Sequence, residues 1–219
     1  MPSASTNTTA RVGRLHVLTD YHFQQRFSHS ELARRAIRGG ADVIQFREKH
    51  APVRHRLREA KRTAALCREA SATLIINDDL DVMLASGATG VHLGQTDFPV
   101  AEARRVLGPT ALIGATATTP EQARQVELDG ADYIGFGPVF TTDSKANPAL
   151  VKGVEGLRRA CEAVALPVIA IAGLTPERVQ PVMEAGAHGV AVMSAVTLAD
   201  DPEAAARSFS ERIEEAKED

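Results

Sequence analysis

Charged and amide side chains stand at the end of one short apolar run of this sequence, DVIQF at 42–46. Gln45, Arg47 and Lys49 alternate there, so in an extended strand their side chains point to the same side. An amide beside two cations suits a polar, anionic ligand. The pattern therefore predicts an anion site, with a solvated charged loop as the alternative.

Carboxylates follow two other apolar runs. Asp78 and Asp79 come directly after TLIIN, and Asp97 comes shortly after GVHLG. Asp also caps helices, so one acid of the first pair is expected to begin a helix. The other is free to join Asp97 around Mg2+, which takes one or two carboxylates together with water and phosphate oxygens. Neighbouring strands would bring these acids together, so the sequence predicts a magnesium site.

Hydroxyl groups and a third cation follow the next two runs. Thr116 lies in the stretch GATATT, which is a mild signal for phosphate contact. The long connection at about 137–153 contains Thr142, Ser144 and Lys145. Long ordered loops usually bind a ligand or cover one. We therefore expect this connection to contact an anion, with an irregular polar insertion as the alternative.

Glycine and small residues follow the last two runs. Gly173 comes after PVIAIA, and Met193–Ser194 come after GVAV. A glycine allows a backbone N–H to approach an oxyanion closely. These residues predict a second phosphate cradle. Acids, cations and cradle together indicate a site for two phosphorylated ligands with Mg2+, in which a diphosphate can serve as anchor and leaving group.

The elements that must position these residues are eight short apolar runs alternating with helical patterns. Sequential strand–helix units imply parallel pairing with right-handed crossovers, and eight of them close into a single-domain (β/α)8 barrel. A doubly wound open sheet is the alternative. In such a barrel the chemistry lies at the carboxyl ends of the strands. The runs are RLHVLT, DVIQF, TLIIN, GVHLG, ALIGA, DYIGF, PVIAIA and GVAVM.

A short internal sequence repeat supports the barrel. The segments GGADVIQF, SGATGVHL, DGADYIGF and AGAHGVAV begin at 39, 86, 129 and 185. In each, a glycine ends a helix and an even-numbered strand follows. Glycine tolerates the left-handed backbone conformation that stops a helix, so we expect that conformation at all four turns.

Composition and length bound the remaining possibilities. The first 13 residues are rich in Ser and Thr and lack an apolar segment, so we expect a disordered tail at 1–13 rather than a secretory signal, and a barrel at 14–219. The net charge of −3 gives no general attraction to nucleic acid or to an anionic membrane. Two cysteines form no disulfide framework, which makes the cytoplasm the default location. The sequence leaves open whether the chain forms a homo-oligomer.

Six motifs, each at a strand end, resemble the thiamine phosphate synthase family. They are QFREK, INDD, VHLGQTD, GPVFTTDSK, IAGLT and VMSA, and the resemblance covers nearly the whole chain after residue 13. It implies a (β/α)8 barrel that joins hydroxymethylpyrimidine diphosphate to hydroxyethylthiazole phosphate. The implied mechanism is dissociative: diphosphate leaves from a stabilised pyrimidinylmethyl cation, and the thiazole nitrogen captures that cation.

The resemblance also implies roles for individual residues. Asp78 and Asp97 are implied to bind Mg2+. The catalytic cations are implied to be Arg47, Lys49 and Lys145. The pyrimidine diphosphate is implied to contact these cations together with Gln45 and Asn77, and Thr116 is a further predicted substrate-binding residue. The thiazole phosphate is implied to contact Thr142, Asp143, Ser144, Gly173, Met193 and Ser194.

The sequence departs from the family at a few positions. The family usually has serine at the position of Thr116, often histidine at Thr118, and glycine at Ala172. The sister family of thiazole tautomerases shares the fold and relies on a histidine that corresponds to Thr118. Threonine cannot act as a base, and this chain keeps the metal-binding acids, so the pattern favours the synthase. A tautomerase and a non-catalytic binder of thiazole or thiamine phosphate are the alternatives.

Overall fold

The computed structural model describes residues 12–142 and 150–218. Eight parallel strands form a closed barrel in chain order, and the eighth pairs with the first. The predicted (β/α)8 architecture is therefore confirmed, and the open sheet is excluded. The strands are β1 (Leu15–Asp20), β2 (Val43–Arg47), β3 (Thr73–Asn77), β4 (Gly90–Leu93), β5 (Leu112–Ala117), β6 (Tyr133–Phe136), β7 (Val168–Ile171) and β8 (Gly189–Val192).

Helices follow the strands and cover the outside of the barrel. A short 3-10 helix, Pro176–Arg178, directly precedes the α-helix Val179–Glu184. In the described chain the α-helices are α1 (His29–Arg38), α2 (Val53–Glu69), α3 (Leu80–Ser86), α4 (Val100–Leu107), α5 (Pro120–Leu128), α6 (Gly153–Ala163), α7 (Val179–Glu184), α8 (Ser194–Thr197) and α9 (Pro202–Glu218). None of the helices in the described ranges is both long and apolar enough to cross a membrane.

The alternation of side chains along each strand divides the buried residues into two layers. The larger layer lies between strands and helices and includes Ile44, Phe46 and Ile134. The smaller layer fills the barrel interior. Its members are Val12, Leu18, Val43, Ile75, Leu112, Tyr133, Ile169 and Ala191. Val12, the first described residue, is fully buried and packs with this layer.

The four repeated helix-to-strand turns contain glycines in the left-handed region. Gly40, Gly87, Gly130 and Gly186 have φ values of 98°, 77°, 94° and 97°. Residues with a Cβ rarely adopt this conformation. The left-handed glycine predicted from the internal sequence repeat is confirmed at all four turns. Each turn leads directly into the next even-numbered strand.

Candidate active site

Arg47 ends β2 at the carboxyl-terminal mouth of the barrel, next to the fully buried Asp20 that ends β1. The two residues stand opposite each other in the register of the paired strands, and their side chains form an ion pair. Asp20 also accepts a hydrogen bond from the backbone N–H of His22 at 2.9 Å. The guanidinium is therefore oriented from behind by a buried carboxylate. Gln45, two residues before Arg47 and on the same face of β2, is also buried.

Lys49 and the two predicted metal ligands meet on the neighbouring side of the mouth. Lys49 Nζ lies 3.1 Å from Asp78 Oδ2, and the side chain of Asp97 lies beside that of Asp78. Asp97 Oδ2 accepts the backbone N–H of Gly94 at 2.7 Å. Burial, together with the hydrogen bond to Asp97, raises the pKa of Asp78 to about 6, although Lys49 opposes the rise. The Asp78 carboxyl therefore takes up a proton more readily than an ordinary aspartate does.

Asp79 is turned away from this pair. It stands at the start of α3, but no side-chain cap bond forms there, and its carboxylate instead pairs with Arg56 of α2. Asp78 has a φ of 66°, unusual for a residue with a Cβ. This backbone conformation separates the two adjacent acids, so that one faces the mouth and the other faces the helix layer.

The paired carboxyl groups of Asp78 and Asp97 fit Mg2+. A carboxyl group whose pKa is raised by burial and a neighbouring acid forms a place where a divalent cation can replace the proton. Across residues 12–142 and 150–218, no group of three or more His, Cys, Asp or Glu side chains is arranged to hold a metal ion. A cation between these two acids would complete its coordination with water and substrate oxygens, as Mg2+ usually does in proteins.

Asn77 and Thr116 are half-buried at the ends of β3 and β5 and share the mouth with these charged groups. The Thr116 hydroxyl lies 3.0 Å from His92 Nε2. Thr118, two residues beyond, uses its hydroxyl to donate to Gln122 Oε1 at 3.0 Å. The position that holds a histidine in tautomerases therefore holds a hydroxyl that is engaged with a helix residue.

Gly173 and Met193 form the opposite side of the mouth, after the paired strands β7 and β8. Ala172 and Gly173 both have positive φ, 83° and 64°. A Cβ at position 173 would lie 2.3 Å from the Thr141 carbonyl oxygen, so only glycine fits. Phe140 N–H donates to the Ala172 carbonyl at 3.2 Å. The base of the long connection after β6 therefore packs directly on the predicted cradle.

Ser194 begins the short helix α8 beside Met193. Thr142 is half-buried at the end of the first described range. The remaining predicted residues of the long connection lie outside the described residues. They are Asp143, Ser144 and Lys145.

Glu48 is a buried residue that the sequence reasoning missed. It lies between Arg47 and Lys49, so its side chain points away from the mouth. Its Oε1 accepts the backbone N–H groups of His50 and Ala51 at 2.9 and 3.2 Å. Its other oxygen lies 3.6 Å from His29 Nε2. Burial alone would raise the pKa of Glu48, but these amides and the histidine hold it below its usual value. Glu48 therefore anchors the turn that follows Lys49.

The geometry of the mouth agrees with what comparison of the chain with known proteins shows. A family model described as thiamine monophosphate synthase matches residues 15–196. The chain belongs to this family. A thiamine-phosphate synthase of Salinibacter ruber is 56% identical over 219 residues, which cover 98% of this chain and 96% of that protein. One from Methanocella arvoryzae is 48% identical over 195 residues, which cover 89% of this chain and 92% of that protein.

A solved structure supports the same assignment. Thiamine phosphate pyrophosphorylase from Pyrococcus furiosus superimposes with a TM-score of 0.87 at 38% identity, covering 96% of this chain and 99% of that one. The predicted family and the predicted synthase activity, a transferase reaction, are confirmed by these similarities. The roles of individual residues and of Mg2+ stay predictions.

Proposed function

We propose that this chain joins hydroxymethylpyrimidine diphosphate to hydroxyethylthiazole phosphate with Mg2+ held by Asp78 and Asp97. The bond between the pyrimidinylmethyl carbon and the diphosphate oxygen breaks, and the oxygen keeps the electron pair. The thiazole nitrogen then donates its lone pair to that carbon, which yields thiamine phosphate and free diphosphate. The observation that supports this proposal most directly is the juxtaposition of the Asp78 and Asp97 carboxyl groups beside Lys49.

The cations of β2 bind and stabilise the departing diphosphate. Charge grows on its oxygens as the carbon–oxygen bond breaks, and fixed positive groups stabilise that charge more than they stabilise the bound substrate. Arg47 is oriented for this by Asp20, and Lys49 by the turn that Glu48 anchors. When bound, Mg2+ supplies Lewis-acid neutralisation of the same oxygens. Lys145 is proposed to contact the diphosphate from the long connection.

The polar side chains between these cations hold the pyrimidine. Gln45, Asn77 and Thr116 offer amide and hydroxyl groups on three strands, within two residues of each strand's carboxyl end. They orient the pyrimidinylmethyl carbon towards the thiazole side, because a dissociative step is productive only when the nucleophile is already in line.

The opposite side of the mouth holds the thiazole phosphate. Backbone groups of Gly173, Met193 and Ser194 are proposed to surround its phosphate, because backbone N–H groups in a turn that contains glycine can approach an oxyanion closely. The proposed contacts from the long connection are Thr142, Asp143 and Ser144. The thiazole nitrogen needs no base to react, since its lone pair is already available. We assign the reaction to the cytoplasm, the default for a chain without a disulfide framework.

The test is thiamine phosphate formation from the two purified substrates, measured with Mg2+ and with a chelator. Product that forms with Mg2+ and disappears with chelator is the expected result. Product that is unaffected by chelator would contradict the metal assignment. No product, from folded protein that still binds thiazole phosphate, would contradict the synthase reaction and favour a tautomerase or a phosphate-binding regulator.

A further inference from the structure

Arg178 ends the short 3-10 helix after β7 and contacts the turn that forms the predicted phosphate cradle. Its Nη1 donates to the Gly173 carbonyl at 2.5 Å, and its guanidinium carbon lies 4.6 Å from the centre of the Phe140 ring. A guanidinium has donors and no acceptor, so the direction of this hydrogen bond is fixed. Its planar shape also allows it to stack on a ring while it donates. One side chain therefore joins the turn after β7 to the first part of the connection after β6.

The turn that Arg178 contacts has an unfavourable backbone conformation. Ala172 and Gly173 have positive φ values of 83° and 64° in succession. A positive φ is unfavourable for a residue with a Cβ, and it persists where surrounding contacts hold the chain. Phe140 N–H donates to the Ala172 carbonyl at 3.2 Å, and Arg178 binds the next carbonyl, that of Gly173. Two successive carbonyl groups of the turn are thus held by two residues that also contact each other.

These two hydrogen bonds also fix the direction of two backbone N–H groups. Both peptide bonds are trans, and in a trans peptide the C=O and the following N–H point in opposite directions. The Ala172 carbonyl therefore sets the direction of the Gly173 N–H, and the Gly173 carbonyl sets that of the Leu174 N–H. Successive N–H groups in a turn form a concavity that binds anions. Phe140 thus orients the first of these N–H groups, and Arg178 orients the second.

We propose that Arg178 is a positioning residue for the phosphate cradle, which it keeps in its binding conformation by holding the Gly173 carbonyl against the Phe140 ring. Arg178 acts through the turn, so its loss should weaken the binding of the phosphate and leave the charged side of the mouth unchanged. This inference rests on the proposed function, because it takes the ligand of this turn to be the thiazole phosphate.

The first experiment measures the dissociation constant of thiazole phosphate by calorimetry, in the absence of the second substrate. Arg178→Met keeps an unbranched side chain without the guanidinium. It should raise the constant about 3- to 10-fold, the effect of losing one hydrogen bond and one cation–ring contact. The matched control is Arg158→Met, because Arg158 also donates to a backbone carbonyl, that of Glu184, at 3.2 Å. The control should leave the constant unchanged, and an unchanged constant in Arg178→Met would overturn the proposal.

The same protein samples separate this proposal from the proposed function. Wild-type protein that binds thiazole phosphate but makes no thiamine phosphate would count against the proposed function alone. Where product forms, Arg178→Met should raise the KM for thiazole phosphate and leave both kcat and the KM for the pyrimidine diphosphate unchanged. Equal rises in the two KM values would contradict a role confined to the cradle. Wild-type protein that does not bind thiazole phosphate would contradict both proposals.

The second experiment separates the position of the guanidinium from its charge. Arg178→Lys keeps the positive charge but replaces the planar group, which stacks and donates at once, with a point charge on a flexible stem. It should therefore show most of the loss of Arg178→Met. Phe140→Leu keeps an apolar side chain and removes the ring, and it should weaken thiazole phosphate binding in the same direction. Wild-type affinity in Arg178→Lys would show that only a charge near the phosphate matters, and it would overturn the positioning role.

A third comparison tests the link to the backbone of the turn and does not depend on the folding of Phe140→Leu. Glycine adopts a positive φ readily, so with Ala172→Gly the turn should need the arginine less. The loss of affinity caused by Arg178→Met should therefore be smaller in the Ala172→Gly background than in the wild type, because the two residues act on one turn. An equal or larger loss in the glycine background would show that Arg178 does not act through this turn, and it would overturn the proposal.

Discussion

The two sides of the barrel mouth differ in how we propose that they hold anions. On the side of β2 to β4, charged side chains neutralise one another, as Arg47 does with Asp20 and Lys49 with Asp78. On the side of β7 and β8, the backbone provides the shape through consecutive positive φ angles at Ala172 and Gly173. Ionic contacts respond to pH and to metal, whereas backbone shape responds only to changes in sequence. We therefore expect the first side to govern turnover and the second to govern affinity.

The largest effect is expected from Asp78→Asn. Loss of a residue that orients a metal ligand typically lowers metal affinity or activity 10- to 100-fold. Removal of a proposed ligand itself should therefore reduce turnover by at least about 100-fold. The measurement is the rate of product formation over a series of Mg2+ concentrations. The matched control is Asp79→Asn, which changes the adjacent carboxylate that pairs with Arg56. Similar losses in both variants would contradict the division of roles between these acids.

Glu48→Ala should affect both stability and the charged side of the mouth. It leaves the amides of His50 and Ala51 without their acceptor, which should lower the free energy of unfolding by about 1–3 kcal/mol. The KM for the pyrimidine diphosphate should rise, because the turn that follows Lys49 loses its anchor. Glu48→Gln retains an acceptor oxygen and should recover most of both quantities. A rise in the KM for thiazole phosphate alone would contradict the assignment of Glu48 to the charged side of the mouth.

The pH dependence of Mg2+ affinity is a second way to distinguish the charged side of the mouth from the backbone side. The pKa of Asp78 is raised to about 6, mainly by burial and by the bond to Asp97, so the carboxyl gains a proton as pH falls through 6. A protonated carboxyl cannot bind the cation, so affinity should fall about tenfold for each pH unit below 6 and stay level above 7. Calorimetric titration with Mg2+ at several pH values provides the check. A level profile from pH 5 to pH 8 would argue against Asp78 as a ligand.

The difference between local patterns and contacts between distant residues explains what the sequence could predict. Strands, helices and the turns at Gly40 and Gly130 follow from local periodicity and from the conformational freedom of glycine, and these predictions are confirmed. Contacts between strands do not follow in this way. The pairing of Asp20 with Arg47 depends on register between strands that lie 27 residues apart, and the bond of Tyr133 to His92 joins residues 41 apart. No local pattern encodes such a register.

The smallest effect is expected on the backbone side, from Ala172→Gly. Alanine at a φ of 83° is strained by roughly 1–2 kcal/mol, and glycine removes that strain at the cost of a more flexible unfolded chain. We expect a net gain of about 1 kcal/mol in the free energy of unfolding, measured by urea denaturation, with kcat unchanged and the KM for thiazole phosphate slightly lower. The control is Ala170→Gly, the same change at a fully buried position within β7, which should destabilise the protein because glycine weakens a strand interior. If Ala172→Gly lowered kcat as strongly as Asp78→Asn, the backbone side would take part in the chemical step, and the division between turnover on one side and affinity on the other would be wrong.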